Sequence, residues 1–374
     1  MKRISISKLF NKHQKSLQKG FNETFKTLMA VIIAYGIAIS IILIVSDQSK
    51  EAIYWFLMGP FSSNLEIGEL IKNTTPLIFS GIAACVILKA GQFNLFIEGA
   101  FYVGGFIAAI VAIYFKLPIL FAVSLAVLAG GLISAAIGYI PAKLKASLNV
   151  NEFVSSIMIN FVVMWIGIYL ISNVVIDVTS GDNATQIIPE ASKMGALFTG
   201  TNVSYAILIA LAFVLLIKIF FSKTQIGYEI KMVGDNPKFA NYSGINVKKR
   251  MIQAQLLGIF IAGIGGATEI LSNYSRFNWK TLPGYGFDGF MVAIIAKNKP
   301  LLIPFAALFI GYLRSGADLM AFNTDVAKEV VTIIQGIVIL LIASERFFSS
   351  DYFTKLKNKF SRKHPISKEV AHNE

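Results

Sequence analysis

Ten polar side chains fall in or beside strongly apolar stretches of the sequence: Asn73, Thr74, Thr75, Asn94, Glu98, Ser155, Ser156, Asn160, Glu269 and Asp288. A carboxylate in hydrocarbon is costly, so such groups are expected to face the interior of a helix bundle or a water-filled path. Glu98 and Asp288 share a local pattern. Each is followed by glycine, in Glu98-Gly99 and Asp288-Gly289, and each lies near the start of an interrupted apolar segment. Asn94, Glu98, Asn160 and Asp288 are therefore the candidates for lining or supporting a solute pathway. Plainer roles also fit several of the ten. Ser155, Ser156 and Asn160 follow Glu152 on one helix and suit hydrogen bonds between helices. Asn73, Thr74 and Thr75, just before Pro76, read as a helix start or a kink.

Bond-making chemistry has little to work with. His13, His364 and His372, the three histidines, all lie in polar tails, and Cys85, the single cysteine, sits in an apolar run as a small hydrophobe would. This excludes an internal disulfide, a thiolate metal cluster and a histidine relay within the apolar segments. Gly284-x-Gly286-x-x-Gly289 has the spacing of a dinucleotide fingerprint, but no strand precedes it as that chemistry requires. No phosphate-binding P-loop, His-Glu-x-x-His or Gly-x-Ser-x-Gly sequence occurs. The chain is thus expected to be neither an enzyme nor a holder of cofactor or metal.

The elements that must position these residues are transmembrane helices. Of 374 residues, 55% are hydrophobic and only 15% charged, against about 25% charged in soluble domains. Roughly 20 apolar residues span a bilayer core as a helix. Ten segments qualify or nearly do: Leu28–Val45, Leu70–Leu88, Leu95–Phe115, Pro118–Ile140, Phe153–Ser172, Val203–Phe221, Met251–Leu271, Phe287–Ala296, Leu301–Gly316 and Glu329–Ala343. Phe287–Ala296 is too short to cross as a regular helix, and Pro300 and Pro304 imply a break after it. The expected fold is all-α and polytopic. Residues 28–343 would form the membrane domain between basic tails at 1–27 and 344–374. The two acidic-Gly pairs suggest an inverted repeat of four-helix units, roughly 70–172 against 251–343.

The net charge of +13 tests this topology. With both termini in the cytoplasm, seven Lys/Arg fall in residues 1–27, six in 222–250 and seven in 344–374, whereas the outer loops hold five: Lys50, Lys116, Lys193, Arg276 and Lys280. This follows the positive-inside rule. Basic tails attracted to anionic lipid account for the charge without a nucleic-acid partner.

The longest internal cytoplasmic loop, 222–250, contains Gly234-Asp235-Asn236-Pro237, which predicts a turn with Asp235 or Asn236 capping a short helix over 237–243 that Gly244 ends. This loop resembles the coupling region of binding-protein-dependent ABC importer permeases of the ribose, nucleoside and branched-chain amino acid group, with Lys231, Met232 and Phe239 as departures from the group's pattern. Lys89-Ala-Gly91-Gln-Phe93-Asn94-Leu-Phe-Ile-Glu98-Gly99 and the stretch from Lys143 to Asn160 are similar to the nucleoside branch, with Phe96 and Ala100 departing from it. The resemblance covers about 70–343. It implies a permease that carries nucleosides or related ribose-containing solutes into the cell. The implied partners are a separate ABC ATPase pressing on Gly234, Asp235, Asn236, Pro237 and Gly244, an extracytoplasmic substrate-binding lipoprotein, and a second, related permease in a heterodimer. An ABC permease for simple sugars and an ion-coupled secondary transporter are the alternatives. Mid-membrane clusters of ionisable residues would favour the latter, and here the carboxylates lie nearer segment ends.

Overall fold

A computed structural model describes residues 33, 36–115, 118–178, 181–198, 200–327, 330, 333, 336 and 337. The elements are α1 (Gly36–Val45), then α2 (Ser49–Met58), α3 (Asn64–Lys89), α4 (Ile97–Tyr114), α5 (Ile119–Leu148), α6 (Glu152–Asn173), α7 (Ala206–Lys223), α8 (Gln225–Asp235), α9 (Pro237–Tyr242), α10 (Val247–Asn273), α11 (Tyr285–Ile295) and α12 (Ile303–Asn323). Among the described residues there is no β-strand, only two isolated bridges, Ile176 with Thr185 and Ala196 with Ser204.

Seven described helices are long and apolar enough to cross a membrane: α3, α4, α5, α6, α7, α10 and α12. The apolar helices α1 and α11 are shorter. The tenth expected segment, Glu329–Ala343, falls almost wholly outside the described residues, as do the basic tails. Pro300 and Pro304 act as expected at the break after α11. Pro300 opens a single 3₁₀ turn, and Pro304 occupies the first turn of α12, where a missing N–H costs nothing. The reading of Asn73–Thr75 as a helix start is corrected. α3 begins at Asn64, capped by the Ser63 hydroxyl accepting from the Glu66 N–H (3.2 Å), and runs through Pro76. Thr74 and Thr75 turn their hydroxyls back to the carbonyls of Leu70 and Ile71 (2.7 and 2.9 Å), which keeps both polar groups inside the helix's own bonding.

The described residues fall into two compact units, those up to Ser49 together with those from Asp325 on, and those from Lys50 to Thr324. In the first, the Ser46 hydroxyl and the Asp47 N–H donate to the Asp325 carboxylate (2.5 and 2.9 Å). In the second, α10 is the hub and packs on α3, α4 and α5. The apolar windows of α3 and α10 are each 83% buried, against 22% for α7, which separates a central layer from peripheral helices. Small residues let the central helices touch backbone to backbone. A Cβ at Gly104 would overlap the Gly263 carbonyl, and one at Gly266 the Phe101 carbonyl. Ser134 of α5 closes the seam by donating to the Ala100 carbonyl (3.0 Å).

The 174–205 segment lies over the end of the bundle where α10 stops. Met194, Ile188 and Thr185 donate backbone N–H groups to Leu271, Ser275 and Phe277 (2.9, 2.9 and 3.1 Å). Arg276 pairs with Asp177, and Lys280 with Asp182 (2.6 Å).

The α4–α10 seam gives a measurable expectation. Gly266→Ala should destabilise the purified protein in detergent by about 1–3 kcal/mol, the usual cost of forcing a methyl into a filled core. Gly195→Ala, whose Cβ would meet nothing nearer than 3.9 Å, should be neutral in the same thermal unfolding assay. Equal effects of the two would refute the seam.

Candidate functional site

The segment between α3 and α4 is irregular backbone that is largely buried. Gly91 adopts a left-handed conformation (φ +69°), and Ala90, Gln92, Asn94, Leu95 and Phe96 are all buried. Backbone N–H and C=O groups removed from water must find partners. α3 supplies the first two: Gly91 and Gln92 donate to the Leu88 and Ile87 carbonyls (3.0 and 3.3 Å).

The remaining partners come mostly from α6. Glu152, Ser156 and Asn160 are spaced by four, so they share one helix face. The Glu152 carboxylate accepts from Phe93 N–H (2.9 Å), the Ser156 hydroxyl from Leu95 N–H (3.0 Å), and the Asn160 carbonyl from Gly99 N–H (2.9 Å). The Asn160 amide also donates to the Leu95 carbonyl (3.0 Å). Lys145 of α5 balances the Glu152 charge at 3.0 Å. Asn94 bonds locally, accepting from Phe96 N–H (2.8 Å), and donates to Gln255 of α10 (2.5 Å). Gln255 in turn donates to Gln92. Asn94, Gln92 and Gln255 are buried.

Glu98 enters on the first turn of α4, and its two carboxylate oxygens accept from the N–H groups of Gly284 and Gly286 at the start of α11. Free N–H groups and the dipole at a helix start favour an anion there. Gly286 permits the approach, since a Cβ there would stand 2.7 Å from that of Glu98. Gly289 lies against the Ser80 backbone, so Gly286 and Gly289 of the dinucleotide-like spacing serve close packing, while Gly284 supplies the left-handed turn (φ +87°) that starts α11. Asp288, on the same first turn of α11, pairs with Arg314 of α12. The structure therefore brings Asn94, Glu98 and Asn160 together around the start of α4 and joins them through α11 to Asp288. All four are buried and bonded within the protein.

Beneath this break lies the 222–250 loop. Thr224 caps α8 (3.1 Å to Gly227 N–H), Asn236 caps α9 (3.0 Å to Phe239 N–H) and Asn246 caps α10 (3.0 Å to Lys249 N–H). Of the two proposed caps, Asn236 serves and Asp235 ends α8. Gly244 takes φ +81° just past α9. A Cβ at Gly234 would overlap the Lys89 carbonyl, so α8 seats directly on the chain that leads into Gly91. The Glu229 carboxylate ties α8 to α10 through Arg250 (2.5 Å) and accepts from Gln225 (2.8 Å). Ala240 is buried, while Phe239 and Tyr242 point outward, 53% and 89% exposed.

Sequence reasoning missed Gln92, Glu152, Gln255 and Arg314. The four-residue spacing from Glu152 to Asn160 was a readable signal for the first shared helix face. Arg314 had none, since nothing local ties it to Asp288.

Two outcomes follow. Asn160→Leu leaves the buried Gly99 N–H without its partner, a cost of about 1–3 kcal/mol, and takes from the Leu95 carbonyl one of its two donors, the Glu98 N–H remaining. It should speed hydrogen exchange at 93–99. Unchanged exchange there would refute the ladder. The Arg250 guanidinium holds the Glu229 carboxyl below its ordinary value of 4.5. The tether is therefore complete above that pH and is lost as pH falls below it. Relative to the intrinsic exchange rate at each pH, protection across α8 should fall on acidification, whereas Glu229→Gln should be poorly protected at every pH. An acid response equal in the two proteins would show that another group controls α8.

Known proteins share this arrangement of sequence. The family described as branched-chain amino acid transport system / permease component matches residues 66–343. The guanosine ABC transporter permease protein NupP of Bacillus subtilis is 32% identical over 85% of this chain and 92% of its own length. The nucleoside ABC transporter permease protein NupB of Lactococcus lactis is 29% identical over 86% of this chain and 92% of its own. The glucose ABC transporter permease protein TsgB13 of Haloferax volcanii is 28% identical over 86% and 87%. With most of its length matched and its apolar helices able to span a bilayer several times, the chain belongs to this family of ABC transporter permeases, as a multi-pass transport subunit and not an enzyme.

Proposed function

We propose that the chain is the permease subunit of a binding-protein-dependent ABC importer that carries nucleosides into the cell. The observation that carries the reading is the 222–250 loop: a capped, outward-facing α9 mounted through α8 on the backbone that enters the α3–α4 break. In this reading a separate ATPase receives α9, with Phe239 and Tyr242 as apolar contacts and Lys238 and Asn241 beside an open groove that Gly244 and Asn246 complete. ATP-driven movement of Gly234, Asp235, Asn236, Pro237 and Gly244 shifts the break and, through Glu98, the start of α11. Asn94, Glu98, Asn160 and Asp288 then act as supports of the pathway whose bonds must rearrange when it opens.

The wider arrangement belongs to the same proposal. Ten membrane helices, with an inverted repeat of four-helix units, run between cytoplasmic basic tails at 1–27 and 344–374, as the charge asymmetry supports. A related second permease completes the membrane part as a heterodimer, and an extracytoplasmic lipoprotein delivers the substrate. The resemblance to nucleoside-branch permeases supports both. The similarity to NupP and NupB supports a nucleoside, and that to TsgB13 keeps a simple sugar as the second reading.

Uptake of labelled guanosine and ribose by a strain lacking the chain decides the substrate. Guanosine uptake should fall and ribose uptake should not, and the opposite pattern would replace nucleosides by sugars. Uptake surviving ATP depletion would instead reveal an ion-coupled carrier. Pro237→Leu and Gly234→Val should cut transport by about tenfold or more while ATPase activity persists, a loss of at least ~1.4 kcal/mol of coupling. Full transport in both variants would end the coupling assignment.

A further inference from the structure

Where the 174–205 segment meets the ends of α3 and α10, a cavity of about 240 Å³ opens between Lys72, Met194, Asn202, Ser204, Ser272 and Asn273. It lies at the opposite end of α3 from Lys89 and the coupling loop, and no bond described above in the α3–α4 break or the coupling loop uses it. Its polar groups are held in place from behind. Glu69 takes Lys72 (2.9 Å) and the Asn202 amide. Asn273 bonds the buried Glu269, which also meets Tyr285 at the start of α11. The Ser272 hydroxyl is the exception: its oxygen is buried and has no hydrogen-bond partner. An unsatisfied buried hydroxyl needs an explanation, and a visiting ligand is one.

The chemistry of the wall narrows that ligand. Amide, hydroxyl and ammonium groups line one side, while Met194 and Ala196 supply an apolar patch. A sugar ring has hydroxyls at its edge and C–H groups on its face, which matches both surfaces. Lys72 is already neutralised by Glu69, so the cavity favours a neutral solute over an anion. The volume is below the roughly 300 Å³ at which sites for whole drug-sized molecules begin. It therefore suits one pentose ring, with any attached base left outside.

We propose that this cavity is an outer reception site for the sugar ring of the transported solute, with the Ser272 hydroxyl and the Asn273 amide bonding its vicinal hydroxyls. The proposal deepens the nucleoside reading and rests on it for the identity of the solute. Asn273 connects the site to Glu269 and Tyr285, and so to the same start of α11 that Glu98 clamps. An occupied cavity is thereby felt where the pathway is closed.

The test uses the complete importer with its binding protein. Cys85 is the only cysteine and is fully buried, so Ser272→Cys adds one further thiol to the chain, set in the wall of the cavity. A ribonucleoside delivered by the binding protein should slow modification of that thiol by a small methanethiosulfonate reagent about fivefold or more, and the free base should not. Ser272→Ala removes a hydroxyl that bonds nothing in the protein, so folding is undisturbed. At saturating binding protein it should lower ribonucleoside uptake roughly five- to tenfold, the worth of one hydrogen bond. Uptake of the 2′,3′-dideoxy analogue should stay at its unaltered rate. Equal effects of Ser272→Ala on both solutes, or no effect on either, would overturn the site. If the unaltered importer carries ribose and no nucleoside, the nucleoside reading fails, yet protection of Ser272→Cys by ribose would still uphold the cavity. Protection by neither solute overturns it whatever the importer carries.

Discussion

Backbone amides buried between α3 and α4, away from both water and a helix ladder, set the terms for the rest of the bundle. A chain that crosses the membrane as helices satisfies its own N–H and C=O groups, and a break in that pattern must borrow partners from elsewhere. Here the borrowing is concentrated on α6, where Glu152, Ser156 and Asn160 stand in one row against residues 93–99. That row fixes the position of α6, and its counter-charge Lys145 fixes the end of α5. Glu98 then begins α4 already committed to the start of α11. One irregular segment therefore ties together α3, α4, α6 and α11, with α10 joined through Gln255.

This arrangement changes how the intramembrane polar residues should be understood. Read from the sequence, Glu98 and Asp288 are costly charges that could either line a solute pathway or support it. In the fold they are bonded, Glu98 to backbone donors and Asp288 to Arg314. Each bond is of a kind that strengthens in low dielectric and costs much when broken singly. Such groups are already engaged within the protein in this conformation, which is why the pathway role proposed for them is that of supports and not of direct solute contacts.

Much of this was legible in the residues. Hydrophobic runs located the seven described helices long enough to cross a membrane because hydrocarbon thickness sets helix length, and Asn236-Pro237 with Gly244 located α9 because caps and stops are local chemistry. The α11 break was equally local, in Pro300 and Pro304. What the sequence left obscure was non-local. Thr74 and Thr75 before Pro76 imitate a helix start, and only the surrounding helices that bury them make continuation of α3 the better outcome. Gly284, Gly286 and Gly289 imitate a phosphate site, and only Glu98 and Ser80, which lie far off in sequence, reveal them as contact points. The pairing of Asp288 with Arg314 and the amide chain from Gln92 to Asn94 through Gln255 depend on which helices meet, which periodicity does not encode.

The joints of the 222–250 loop have a mechanical meaning. Thr224 is at once the residue that ends α7 and the cap that begins α8, and Asn236 does the same between α8 and α9. Three rods are thus connected by single residues, each offering one pair of soft dihedral angles. An arm with two such elbows has few ways to fold, and its middle rod is pressed against a carbonyl with no side chain between as cushion. A thrust on its tip has little slack to take up before it reaches the membrane helices, so small strokes need not be lost as bending of the loop.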